Sequence, residues 1–143
     1  MEKTAGTAQR GDDECVVKAS IGEKRYRVTA LGIPTENGLI VSVLGGEKPH
    51  VGAIALGVPR PSSKDPKVTS VTSSVLVLPG HKDDLIARPL SEKFAREFKR
   101  PAVVIAGVHV DKADDEGIAQ LVSNSTKAGD RLFQILKDRQ KRQ

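Results

Sequence analysis

Side chains alternate between apolar and polar over residues 16–21 and again over residues 24–31, where Tyr26, Val28 and Ala30 share one face and Arg25, Arg27 and Thr29 the other. A period of two is that of a half-exposed strand, and Gly22-Glu23 between the runs predicts a tight turn. Glu36-Asn37-Gly38 precedes the run Leu39, Ile40, Val41, Ser42, Val43 and Leu44. Such a tripeptide supplies the positive φ angles of a short hairpin, so the first three strands read as an antiparallel meander. Residues 52–58 and 74–78 are apolar at both parities, which places them as strands in the covered centre of a sheet.

After Gly80 the period lengthens. Ile86, Leu90, Phe94 and Phe98 recur every four residues and predict one helical face. Pro89 is tolerated in a first turn only, so either the helix starts there or an earlier turn from Asp84 is kinked. Arg100-Pro101 ends it, and residues 102–108 form a further buried strand closing on His109. Asp111, Asp114, Asp115 and Glu116 then sit where a helix N-terminus favours anions, ahead of an apolar stripe of Ile118, Leu121, Val122, Ser125, Leu132, Ile135 and Leu136. A run of strands, a helix, a strand and a closing helix predicts an α+β fold: a mainly antiparallel sheet of about six strands with two helices on one face. The other face is left for interaction.

Composition narrows the class. A chain of 143 residues suits one domain, and its aliphatic core must do without Trp, since Tyr26, Phe94, Phe98 and Phe133 are the only aromatics. Residues 1–13 show no periodicity and are expected to be a disordered leader, with one domain over residues 14–136 and a basic tail over residues 137–143. The net charge of +5 is concentrated at the end: from residue 131 onward five cations face one anion, leaving +1 for the rest. A body that neutral does not grip phosphates along a duplex, so no nucleic-acid partner is expected. Cys15 alone permits no intramolecular disulfide, and no apolar run reaches the roughly 18 residues of a membrane span. A cytoplasmic protein without a membrane partner is the expectation.

Candidate chemistry falls between Pro49 and Asp83. Residues 59–67 contain three prolines and run on to Ser70, Thr72, Ser73 and Ser74, which predicts a long stiffened loop. Its Arg60, Lys64, Ser62, Ser73 and Ser74 are donors suited to a phosphate. Gly45-Gly46 lacks the spacing of a phosphate-binding loop and reads as a turn. His50, His81 and His109 each lie at or just beyond a strand end, and strand ends can cluster in space, yet no HxH or HExxH spacing marks a metal site. No GxSxG elbow is present, and Asp83-Asp84 is read as the cap of the following helix. A catalyst is therefore not expected, and neither is a metal.

The strings PHVGAIALG (residues 49–57), VPRPS (58–62) and LPGHKDD (78–84), with Arg100-Pro101 through Ala106-Gly107-Val108-His109 and Asp111, resemble the prenylated-flavin chaperone LpdD-like family. The likeness runs from Gly46 to about Leu121. It implies a fold similar to proteasome assembly chaperones, a homo-oligomer, and a non-catalytic accessory protein that binds prenylated FMN or delivers it to a UbiD-type decarboxylase. The residues it implies for the cofactor are His50, Arg60, Ser62, Ser73, Ser74, His81, Lys82 and His109. Two other readings remain: a protein-interaction module without a small ligand, and a metal-dependent enzyme built on the three histidines.

Overall fold

The structure is a computed structural model that describes residues 16–80 and 82–142; the expected leader, Cys15 and His81 lie outside the described residues. Six strands, β1 (Val17–Ile21), β2 (Val28–Pro34), β3 (Leu39–Gly46), β4 (Ala53–Pro61), β5 (Thr69–Val77) and β6 (Ala102–His109), form one sheet in the order β1-β2-β3-β6-β4-β5. Two helices, α1 (Asp84–Phe98) and α2 (Asp115–Lys141), pack on one face. The class is α+β as expected, but the sheet is mixed: β6 enters its middle parallel to β3 and antiparallel to β4. A strand that follows a helix on one face returns in the direction the crossover dictates, which local alternation does not record.

Valine and alanine at alternate positions make the covered face. Val28, Ala30, Val41, Val43, Ala53, Ala55, Val104 and Ala106 are fully buried. Ile86, Leu90 and Phe94 of α1 and Leu121, Ala128, Leu132 and Leu136 of α2 close over them, one helical stripe each. Phe94, Phe98 and Phe133 meet between the helices with ring centroids 5.4–6.1 Å apart. The opposite face is bare. Leu31, Ser42, Ile105, Ile54 and Leu76 register across β2, β3, β6, β4 and β5 as one row. Ile33, Ile40, Val103, Leu56 and Ser74 form the next.

Several local expectations are corrected. Residues 24–26 form a 3-10 turn, so Tyr26 is not on the strand face with Val28 and Ala30. Asn37 and Gly38 keep negative φ, and the hairpin is closed instead by the Thr35 hydroxyl accepting the Gly38 N–H at 2.9 Å. Strands β4 and β5 are covered on one face only: Leu56 and Val58 are exposed, and Leu76 on the edge strand is 71% exposed. The expected loop of residues 59–67 shrinks to residues 62–68, because β4 continues through Pro59, Arg60 and Pro61. Those prolines lie past the last β6 pairing, at Gly57, so no central ladder loses a donor. Helix α1 starts at Asp84 with Pro89 inside it, and α2 carries the basic tail in helical form as far as Lys141.

Candidate functional site

Strand directions bring one end of the sheet together. The last residues of the parallel pair β3 and β6 lie side by side, Gly46 against His109. The start of β4 joins them through Ala53 against Ala106, and the end of β5 through Val77 against Ala53. Helix α1 begins after β5 and α2 after β6, so both helix N-termini open at this end. Between them lies a cleft of about 430 Å³, within the size range of small-molecule sites. Its walls are Ile86, Val108, Val110, Ile118, Leu121 and Val122; its polar lining comes from Lys82, Asp83, His109 and Lys112.

Asp83 holds the floor. It is 6% exposed, and its side chain does not cap α1 as expected. One carboxylate oxygen accepts the Val108 N–H at 3.1 Å, and the other lies 3.0 Å from His50 Nε2. His50 Nδ1 is 2.9 Å from the Lys48 carbonyl. Both ring nitrogens thus face acceptors, which fixes the ring between Lys48 and Asp83. Two glycines make the approach possible: a Cβ at Gly52 would strike the Asp83 side chain, and one at Gly107 the His50 carbonyl. This is the structural reason for Gly52 in PHVGAIALG and for Gly107 in Ala106-Gly107-Val108.

A second network closes the rim. Asp111 receives His109 Nε2 at 2.9 Å and Lys48 Nζ at 2.8 Å. The Lys48 ammonium, then the His109 ring, holds the Asp111 carboxyl below the usual carboxylate range, while Asp111 raises Lys48. Glu47 accepts the Asp111 N–H and pairs with Arg25 at 2.9 Å. The N–H groups of Glu47 and Lys48 both donate to the His109 carbonyl, so the Gly45-Gly46 corner is tied down. The rings of His50 and His109 stand 6.5 Å apart. Among the described residues no group of three or more His, Cys, Asp or Glu is placed to hold a metal ion.

The sequence-derived set is divided by this geometry. Lys82 and His109 line the cleft, and His50 is joined to it through Asp83, with His81 outside the described residues. Arg60 and Ser62 lie at the opposite end: Arg60 is seven residues along β4 from Ala53, about 23 Å at ~3.3 Å per residue. There Arg60 Nε donates to Thr72 Oγ1 at 2.8 Å. Ser73 faces α1 and donates to Glu92 at 2.8 Å, while Ser74 pairs with Leu56 and is exposed on the bare face. The single recess uniting Arg60, Ser73 and Ser74 with the histidines does not form. Sequence reasoning missed Lys112, whose positive φ of 53° places a non-glycine residue in a strained conformation beside the cleft. It also took Ile118 and Val122 for core, though they line the cleft at 51% and 38% exposure.

A helix-backed six-stranded sheet with a pocket at its strand ends defines a small α+β domain. The chain superposes with a TM-score of 0.53 on a chain from the crystal structure of a novel chaperone complex for yeast 20S proteasome assembly, at 17% identity, covering 87% of this chain and 97% of that one. No curated protein matches it. Residues 22–137 match the prenylated flavin chaperone LpdD-like domain, and the chain belongs to that family.

Proposed function

We propose that this protein is a non-catalytic, cytoplasmic accessory protein that holds prenylated FMN in the cleft between the two helix N-termini and delivers it to a UbiD-type decarboxylase. One observation carries the reading: Lys82 and His109, from family strings far apart in sequence, line a single apolar-walled, cation-rimmed cleft, to which His50 is joined through Asp83. The donor set suits the ligand. Lys82 and Lys112 offer ammonium groups to a phosphate, and Ile86, Val108, Ile118 and Val122 offer an aliphatic surface to the ring and prenyl group. Among the described residues no Phe or Tyr lines the cleft, so the ring is held by aliphatic contact with the His109 imidazole at its edge. When bound, prenylated FMN supplies the chemistry to the decarboxylase; this chain's residues bind it and limit its contact with water. On this reading Arg60, Ser62 and Ser74 serve the partner protein, while Ser73 positions Glu92.

Titration of the full chain with prenylated FMN, followed by flavin fluorescence, tests the proposal. Saturable binding in the micromolar range is the expected result, with Lys112→Glu and Lys82→Glu each weakening it about tenfold or more. Arg60→Ala should leave flavin affinity unchanged and weaken capture of the decarboxylase. Absence of saturation at high micromolar ligand defeats the assignment.

A further inference from the structure

We propose that the open edge of β5, beside the outer stripe of α1, is where an extended segment of a partner protein adds as a further strand, antiparallel to β5 and with carboxylates directed at Arg88 and Arg96. Strand β5 ends the strand order, and its packed neighbours among the described residues are β4 and α1. Which of its groups point outward follows from the hairpin. The Ser62 N–H donates to the Val68 carbonyl at 2.8 Å, and the Leu78 N–H to the Gly52 carbonyl at 2.9 Å. Both ends of the β4–β5 ladder thus put the even-numbered residues of β5 in hydrogen-bonded pairs. The alternation of an antiparallel ladder then turns the N–H and C=O groups of Thr69, Val71, Ser73, Val75 and Val77 away from β4.

This edge lacks the protection that sheet edges carry. Over nine residues β5 holds no charge and no proline, and its register with β4 runs without a bulge. The other edge strand, β1, is five residues long and exposes Lys18. Helix α1 supplies the charge beside the edge. A Cβ at Gly52 would meet Asp83 and one at Gly57 the Ser91 carbonyl, so α1 runs in the direction of β4 and against β5. Its stripe of Arg88, Glu92 and Arg96 faces the edge, because the Ser73 hydroxyl donates to Glu92 at 2.8 Å. Arg88 therefore lies toward Val75 and Arg96 toward Val71. Both arginines are exposed, and Glu92, the one anion of the stripe, is engaged by Ser73 and Arg88. A docked strand sends alternate side chains to the helix side, so carboxylates opposite Val71 and Val75, four residues apart, meet the two guanidinium groups. The assignment is independent of the flavin reading, since no residue of β5 lines the cleft.

Fluorescence anisotropy of a labelled, end-capped peptide, Thr-Glu-Thr-Val-Thr-Glu-Thr, titrated with the full chain tests it. Saturable binding is expected. N-methylation of the central valine removes an N–H that the ladder needs and should weaken binding about tenfold or more, with no change to the protein. Val75→Pro removes an outward donor and keeps the β4 pairs at Ser74 and Leu76. It should weaken the peptide by a similar factor and leave the flavin titration as it is in the parent. Arg88→Glu combined with Arg96→Glu should reverse the preference, toward the same peptide with lysine in place of glutamate. Absence of saturation at millimolar peptide, equal affinity for the N-methylated peptide, or indifference to the paired arginine substitutions overturns the proposal. So does a fall in molecular mass of Val75→Pro in light scattering, because a second copy would then be what covers the edge.

Discussion

At the residue scale, the site depends on what is missing from two positions. Gly52 and Gly107 leave out the Cβ atoms that would collide with Asp83 and with the His50 backbone, so the buried carboxylate can reach both His50 and the Val108 N–H. Overpacking of this sort costs about 1–3 kcal/mol, and Gly107→Ala should lower the urea-unfolding free energy by that amount. Ser73 acts at the same scale, away from the cleft. Its hydroxyl is the main reason the Glu92 carboxyl titrates below its usual range, with Arg88 adding to it and partial burial opposing it. A depressed carboxylate adds stability above its unfolded pKa and loses that contribution as pH falls through its folded pKa. Ser73→Ala should therefore raise the Glu92 pKa in a carbon-detected NMR titration and reduce stability above the usual carboxylate range. The change should be small, because Glu92 is partly exposed.

At the element scale, α2 shows how one apolar stripe serves two purposes. Leu121, Leu132 and Leu136 enter the core, whereas Ile118 and Val122 stop short of it and wall the cleft. Helical period alone predicts a single continuous core face. The first turns of α2 overhang the strand ends instead of lying on the sheet, and so their apolar residues are left for a ligand. Ile118→Lys should change stability by no more than about 0.5 kcal/mol, as surface substitutions do, yet weaken prenylated FMN binding in the fluorescence titration. Loss of stability without loss of binding would return Ile118 to the core.

For the whole molecule, the consequential step is the insertion of β6 between β3 and β4. It carries His109 to the side of Gly46 and aligns the open-face rows into one apolar band.

Much of the architecture was legible in the residues. Alternation marked most of the strands and a four-residue period marked the helices, because both follow from backbone geometry and the burial of one face. The strings PHVGAIALG, VPRPS and LPGHKDD likewise pointed to the family. Local pattern carries no information on which strands become neighbours or in which direction they pair, so the parallel β3–β6 contact was out of reach. The same limit hid the separation of Arg60 from His50, which depends on the length and direction of β4, and the diversion of Asp83 from helix cap to partner of His50. The sequence determined the elements and their buried faces; only the tertiary structure decided which ends meet, since strand-end chemistry is assembled by contacts between residues far apart in the chain.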